Sequence, residues 1–439
     1  MKRKTLKGLI ATVAAFAVFT FSAVFGGCFA GKDGKDGKDL NIYDLYEAAK
    51  TIEGNENMTF EEFLREYLSY TPQEIEEQIN LQKSINRSLL SSVYVRAVME
   101  ESDGKPLYYS GTGVIIDIDK TAGDMTVLTN CHVVYSTMAV GDRFADEIQL
   151  WNYGSELYIE SMMTAKIMCA SITYDLALLK VTGSDVVKGS DARAASFAST
   201  EVNYLGETVY TVGNPNAQRL AASCGTISRD FDTLKIDMDI RGSDMTPEPD
   251  IYKDMRTYDV MRLSIGVDHG NSGGGVFDKS GQLIGVLNAK SGTMENTAYA
   301  LPAARVRRVV ARMLGDYTGV ETHSFMRVNW EEKMELELYN AYPVLNDEGL
   351  VDIKEVVTVK SSHMNSPFSQ FVVGDVLSHI KVTRGGEVIE DLDINRKYNF
   401  NDAMISVKEG DTVTVTVLRG GTPRELTMTF TRSDFKTED

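Results

Sequence analysis

From Leu89 onward the chain is broken into short β-rich runs separated by turn residues. Ser92–Val98, Gly113–Ile118, Met125–Leu128, Glu147–Leu150, Ala165–Met168, Ala177–Val181, Thr208–Val212 and Lys235–Met238 read as strands, as do Gly275–Phe277 and Leu283–Asn288. Such runs favour strands because branched side chains fit a half-buried pleated surface. Many short strands without intervening helices bury their apolar faces in a sandwich or in a pair of barrels. A chain of 439 residues has material for two or three domains with a sizeable core.

One turn inside this region is built for chemistry: Gly270-Asn271-Ser272-Gly273-Gly274. A serine with glycines on both sides suits a hydroxyl nucleophile. The backbone can turn tightly and leave N–H groups facing a developing oxyanion, here those of the stretch Gly270, Asn271 and Ser272, with Gly270 and Ser272 as the donors. A serine alone is inert at neutral pH, so the reading needs a base and a carboxylate that orients it. His132 in Leu128-Thr129-Asn130-Cys131-His132-Val133-Val134 and Asp175 in Asp175-Leu176-Ala177-Leu178-Leu179-Lys180 are the candidates. Taken singly, each has a plainer reading: a glycine turn, a satisfied histidine, an aspartate capping a strand. Three matches in the order His, Asp, Ser outweigh those readings.

That order resembles the trypsin-like serine proteases, and the wording around each residue is similar to the HtrA branch. Thr129 to Val134 matches its "TNxHVV", Asp175 to Val181 its "DLAxLKV", and Gly270 to Gly274 its "GNSGG". Ser110-Gly111-Thr112-Gly113 and Gly213-Asn214-Pro215 match further positions. The resemblance covers roughly Leu89 to Leu314 and, more weakly, a tail similar to a PDZ domain. It implies two six-stranded barrels with the site between them, His132 and Asp175 on the first and Ser272 on the second. It implies Ser-His-Asp hydrolysis of peptide bonds in unfolded or exported polypeptides, no metal or organic cofactor, and a trimer as the family's habit. Gly275 departs from a frequent proline and implies a less rigid turn. The S1 pocket is expected at Ile265, Gly266 and Val267, six residues or so before the serine; no acid stands there, which implies a neutral pocket for side chains such as Val, Ala or Leu.

The net charge of −18 argues against nucleic acid, because a phosphate-binding surface needs clustered Lys and Arg. Residues 1–27 read as a signal peptide, with Lys2, Arg3, Lys4 and Lys7 ahead of an apolar run from Leu9 to Phe25. Gly26-Gly27-Cys28 is similar to a bacterial lipobox with Phe25 in place of the usual Leu, so Cys28 is expected to carry lipid and anchor the protein to the extracytoplasmic face of the cell membrane. Residues 28–40, with three Gly-Lys-Asp repeats, are expected to be a hydrated tether. Residues 41–88 read as a helical spacer: Ile42, Leu45, Ala48, Ala49 and Ile52 share a face, Thr59 and Glu62 form a capping box, and Pro72 opens a further helix. The spacer either packs on the barrels, the favoured reading, or forms a stalk.

Cys131, Cys169 and Cys224 are odd in number and lack CxxC spacing, which argues against a disulfide framework or zinc and favours buried free thiols. Arg229 to Arg256 is rich in Asp and reads as a long solvated loop. Residues 89–318 are expected to form the protease domain. Pro302 to Leu314 reads as a helix ended by Gly315, with Val306, Val309, Val310, Met313 and Leu314 inward and Arg305, Arg307, Arg308 and Arg312 on a solvated face. Residues 325–433 resemble a PDZ domain through Gly349–Ile353, Val373–Leu377 and Glu409–Val415, which implies capture of peptide C-termini by strand addition. Ser324 to Val328 is the expected carboxylate-binding loop. The rival reading is a catalytically idle, peptide-binding or chaperone-like surface lipoprotein.

Overall fold

The structure, a computed structural model, describes residues 46–438 apart from 48, 52–53, 68–71, 101–103, 138, 142, 157, 200–204, 238–254, 321 and 323. The signal-like segment, Cys28 and the Gly-Lys-Asp tether lie outside the described residues, as does much of the first expected helix. No helix among the described residues is long and apolar enough to cross a membrane.

Helices α1 (Phe60–Tyr67) and α2 (Pro72–Leu89) precede the strands. Thr59 caps α1, its hydroxyl accepting from the Glu62 N–H at 3.2 Å while the Glu62 carboxylate accepts from the Thr59 N–H at 2.8 Å. Helix α2 lies on the second barrel, where Leu81 and Leu89 join Tyr210, Val212, Phe277 and Leu283, and Ser88 shares a 2.9 Å hydrogen bond with the Tyr210 hydroxyl.

The protein is mainly β, and its centre is two closed six-stranded antiparallel barrels. The first consists of β1 (Ser92–Glu100), β2 (Pro106–Asp119), β3 (Asp124–Thr129), β4 (Glu147–Asn152), β5 (Met163–Ser171) and β6 (Leu176–Val181) in the order β1-β2-β3-β6-β5-β4. Helices α3 (Cys131–Val134) and α4 (Asp185–Lys188) follow β3 and β6. The second consists of β7 (Thr208–Gly213), β8 (Ala221–Asp237), β9 (Met255–Ser264), β10 (Gly275–Asp278), β11 (Leu283–Lys290) and β12 (Thr297–Pro302) in the order β10-β11-β12-β9-β8-β7. Alternation fills each barrel: Val93, Val95, Ala97 and Met99 of β1 all point into the first core. Closure removes every free edge from both sheets, which is how two small barrels avoid exposing unpaired backbone.

A third apolar cluster welds the barrels. Leu128, Leu176 and Leu178 of the first meet Tyr258, Val260, Val286 and Leu301 of the second, under Val306, Val309, Val310 and Met313 of helix α5 (Ala303–Asp316). Because β3 and β6 carry the segments that end in His132 and begin at Asp175, this cluster sets where both residues stand relative to Ser272.

After α5 come β13 (Phe325–Val328), β14 (Met334–Leu345), β15 (Val351–Ser362), β16 (Val376–Arg384), β17 (Glu387–Asp393), α6 (Lys397–Ile405), β18 (Thr412–Arg419), β19 (Thr422–Thr429) and β20 (Phe435–Glu438). They form a sheet ordered β14-β15-β16-β18-β19, with β17 on β16, and a separate β13-β20 ribbon. Strands β14 and β19 stand at the two ends of the sheet.

Four expectations need correction. Residues 229–237 and 255–256 are not loop: β8 and β9 stay paired, with register shifts on either side of Arg229, out to Asp237 opposite Met255, and 238–254 lie outside the described residues. Asp230 pairs with Arg396 and Asp232 with Arg262, in a ladder whose apolar members include Leu234 and Tyr258. Helix α5 runs past Gly315 to Asp316 and is capped by the Tyr317 N–H on the Met313 carbonyl; Gly315 instead gives room to Lys408, whose Nζ lies 2.7 Å from where a Cβ would stand. The arginines of α5 do not form a solvated face, since Arg305, Arg308 and Arg312 are 8%, 8% and 5% exposed. Arg305 bonds Asp402 at 2.7 Å and Asp259 at 3.2 Å, Arg308 grips Glu390 through two bonds of 2.9 and 2.8 Å, and Arg312 donates to the Val407 carbonyl at 2.9 Å. Periodicity locates the apolar side of a helix but not what covers the other side. Here the C-terminal sheet and α6 cover it. Finally, Ser324 to Val328 is not a free loop: Phe325–Val328 is paired along its length with Phe435–Glu438.

Candidate active site

His132 stands on a single helical turn hung from the end of β3. Cys131, Val133 and Val134 are buried and fix α3 on the first barrel, leaving the imidazole at its rim with 30% of its side chain exposed. Asp175 precedes β6 and is fully buried, with φ +48°, a left-handed conformation that Asp tolerates better than most residues. The Asn130 carboxamide donates to the Asp175 carbonyl at 2.9 Å, so a side chain just ahead of His132 also holds the Asp175 backbone.

The carboxylate grips the histidine at two points. Asp175 Oδ1 accepts the His132 backbone N–H at 2.9 Å, and Oδ2 faces the His132 Nδ1 at 2.8 Å. A second donor reaches Oδ2 from the other barrel, the Asn288 Nδ2 at the end of β11. Asn288 is 1% exposed. This arrangement fixes the proton on Nδ1 and leaves Nε2 as the free, basic nitrogen. Burial opposes a charge on His132, but the Asp175 charge and hydrogen bond outweigh it and lift the imidazole pKa above its ordinary value.

Ser272 sits in the turn after a strand-free stretch of the second barrel. Gly270 has φ +91° and Gly273 φ +82°. A Cβ on Gly270 would lie 2.3 Å from the Asn214 carbonyl, and one on Gly273 2.2 Å from both the Thr112 carbonyl and the Thr129 hydroxyl, so conformation and space both demand glycine. Among the described residues neither the Gly270 nor the Ser272 N–H donates to a protein acceptor, which leaves both available to a ligand. The Asn271 N–H is different: it donates to the Asp268 carbonyl at 3.2 Å, so Asn271 shapes the turn and adds no free donor. The Ser272 hydroxyl points at the Asn288 carbonyl, 3.5 Å away, and makes no hydrogen bond to His132 in this arrangement. Asn288 therefore touches two members of the constellation, its amide on Asp175 and its carbonyl beside Ser272.

Ile265 is buried, and its N–H donates to the Asn296 carbonyl at 2.8 Å. Gly266 faces the Asn296 carboxamide, whose Oδ1 is 3.3 Å from the glycine's would-be Cβ, and Val267 packs on the second core. The wall at Gly266 is thus neutral, with an amide at its back. The acid two residues on, Asp268, is occupied by Lys290 at 2.5 Å and Asn216 at 2.8 Å, and these partners hold its pKa far below the usual carboxylate range.

Cys131 adjoins His132 but is buried, and burial followed by the Asp175 charge pushes its thiol well above the ordinary pKa. Cys169 is pushed up to about 12 by burial, and half-buried Cys224 is raised for the same reason. All three are free thiols, and none has the lowered pKa of a nucleophile. Among the described residues no group of three His, Cys, Asp or Glu stands close enough to hold a metal. Cys28 lies outside the described residues.

Sequence reasoning missed Asn288, Asn296 and Asn216. The signal for Asn288 was a polar residue inside an otherwise apolar strand, Leu283-Ile284-Gly285-Val286-Leu287-Asn288; nothing local marks the other two.

Comparison with known proteins matches residues 111–286 to the trypsin-like peptidase domain. The chain is 26% identical over 326 residues to the serine protease Do-like HtrB of Bacillus subtilis, covering 73% of this chain and 62% of that one. It is 26% identical over 332 residues to a serine protease HtrA-like protein of Staphylococcus aureus, covering 72% of this chain and 36% of the relative. The chain thus spans less than two thirds of the length of either. Among solved structures, the HtrA-type protease AlgW with tripeptide superposes with a TM-score of 0.49 at 17% identity, covering 82% of this chain and 97% of that one. In sequence the chain is similar to the HtrA-type, trypsin-like serine proteases.

Proposed function

We propose that this protein is a serine endopeptidase of the trypsin-like, HtrA type, acting on polypeptides outside the cytoplasm through Ser272, His132 and Asp175. The observation that carries the reading is the Asp175 carboxylate gripping His132 at Nδ1 and at its backbone, beside a serine whose flanking N–H groups lack protein acceptors. The Ser272 hydroxyl leaves the Asn288 carbonyl for His132 Nε2, which takes its proton as the oxygen attacks the peptide carbonyl. Asp175, kept in place by Asn288 and Asn130, stabilises the imidazolium. The N–H groups of Gly270 and Ser272 receive the oxyanion, the protonated His132 gives its proton to the leaving amine, and water then hydrolyses the acyl-enzyme. The neutral wall at Gly266 and Asn296 suits small aliphatic side chains over Arg or Lys.

Lipidation of Cys28 would hold the enzyme at the outer face of the membrane, and the C-terminal sheet, with β14 at one of its edges, would engage peptide segments of the substrate. The test is labelling by a fluorophosphonate together with casein hydrolysis. Ser272→Ala is expected to abolish labelling and to lower turnover by about a millionfold. The resting position of the Ser272 hydroxyl, off His132, favours one rival, an idle peptide-binding lipoprotein. A wild-type protein that neither labels nor cleaves would establish that rival and end this proposal.

A further inference from the structure

Thr112 lies on β2 of the first barrel, is 0% exposed, and is not adjacent in sequence to any residue of the constellation. All its polar atoms are engaged, and three of the four bonds cross to the second barrel. Its hydroxyl donates to the Gly270 carbonyl at 2.8 Å and accepts the Asn214 N–H at 2.9 Å. Its N–H donates to the Ser272 carbonyl at 2.8 Å, and its own carbonyl accepts from the Thr129 hydroxyl at 2.7 Å.

The Gly270 carbonyl belongs to the peptide unit that follows the Gly270 N–H, one of the two donors offered to an oxyanion. The preceding unit is fixed from the other side, since the His269 carbonyl accepts the Asn216 N–H at 2.6 Å. Asn214 and Asn216 belong to one short turn after β7 in which Asn216, Ala217 and Arg219 all have positive φ, at 52°, 57° and 111°. A turn of non-glycine residues in that region is held by its surroundings rather than by preference. Its ties include the Thr112 hydroxyl at Asn214 and Glu156 of the first barrel, which accepts the Leu220 N–H at 3.2 Å.

We propose that Thr112 is the positioning residue of the oxyanion site: its hydroxyl joins the first barrel to both the Gly270 peptide and the 214–219 turn, and so sets the direction of the Gly270 N–H. The inference rests on the protease reading above. The hydroxyl hydrogen goes to the Gly270 carbonyl and a lone pair receives the Asn214 N–H, so a residue of equal shape without a hydroxyl leaves a part-buried acceptor and a buried donor unpaired. With Asn214 released, the turn that holds the His269 carbonyl through the Asn216 N–H loosens while the Gly270 carbonyl loses its anchor, so the His269–Gly270 peptide between them has reason to rotate and to turn the Gly270 N–H away from the place where negative charge develops. Removing an oxyanion donor outright costs about 10²- to 10³-fold in kcat. Misaiming one is expected to cost about 10- to 100-fold.

The experiment compares the full-length wild type with Thr112→Val, Thr112→Ser and Thr112→Cys, using a peptide substrate with an aliphatic residue before the cleaved bond and a peptidyl boronate that forms a tetrahedral adduct. Rates are expressed per fluorophosphonate-titrated site, so that a misfolded fraction drops out. Thr112→Val is expected to lose about 10- to 100-fold in kcat with KM within about threefold, and to lose boronate affinity by the same factor. The pH midpoint of kcat/KM should not move, because His132 and Asp175 are untouched. Thr112→Ser should recover to within about threefold, and Thr112→Cys, with a weak S–H donor, should fall between. Should Thr112→Val be insoluble, the order Thr and Ser above Cys carries the test. Wild-type kcat in the Val or Cys variant, or a Ser variant as impaired as Val, overturns the positioning role while leaving the protease reading intact. A wild type without labelling or hydrolysis overturns both.

Discussion

His132 shows how one carboxylate serves two opposite pH trends. Its pKa is raised, so the folded state binds the imidazolium proton more tightly than the unfolded chain does. The stability this pair contributes is therefore complete below the unfolded value of about 6.5 and is lost as pH rises through the folded value. Catalysis needs the neutral ring and runs the other way. A pH profile of kcat/KM should fall on the acid side with a midpoint above about 6.5, and a midpoint below that would contradict the Asp175 contact. Asn288 gives a second prediction at this scale. Asn288→Ala removes a donor from the charged Asp175 oxygen, and hydrogen bonds to charged groups are worth about 1.5–3 kcal/mol, so kcat should fall roughly 10- to 100-fold with KM little changed. His132, Asp175 and Ser272 could be singled out in the sequence because each lies in a contiguous segment with its own character. Asn288 was marked only as a polar residue in an apolar strand, and the parts of Thr112 and Asn296 are defined by what a different strand brings next to them.

At the scale of elements, strands were legible where β-branched residues cluster, and illegible where charge interrupts them. The outer arm of β8 carries Asp230, Asp232 and Asp237 and so reads as loop, although pairing with β9 resumes at Asp232 after a bulge and runs to Asp237. Helix α5 was found in the right place, but its arginine side was misread. Its ion pairs are buried: Arg308 and Glu390 have side chains 8% and 11% exposed. Breaking such a pair on one side leaves an uncompensated charge, so Arg308→Ala should cost about 3–5 kcal/mol in thermal or urea unfolding. Replacing both partners with apolar residues of similar volume should cost far less. Gly275 was expected to loosen its turn where proline often stands. In the structure it starts β10 beneath the Phe277 ring, whose carbons lie 2.5 Å from the position of a Cβ, with Leu283 at 2.9 Å. Gly275→Ala should therefore destabilise the second barrel by about 1–3 kcal/mol through overpacking, rather than stiffen it.

For the whole molecule, the apolar cluster between the barrels extends to Phe325 and Ile405, so the C-terminal part completes the junction on which the site depends. Deleting residues 325–439 should expose Arg305, Arg308 and Arg312 without their partners and lower the melting temperature of the barrels by roughly 5–10 °C, measured by calorimetry. A second set of ties lies farther out: Arg396 sits between Asp230 of β8 and Asp352 of β15, and Phe231 stacks on Tyr398 with ring centres 5.1 Å apart. Attachment along a helix and again along a hairpin leaves no joint. A peptide seated on the outer sheet would have to be accommodated by elastic give in the barrel beside it, so grip at one end of the molecule and speed at the other are expected to vary together.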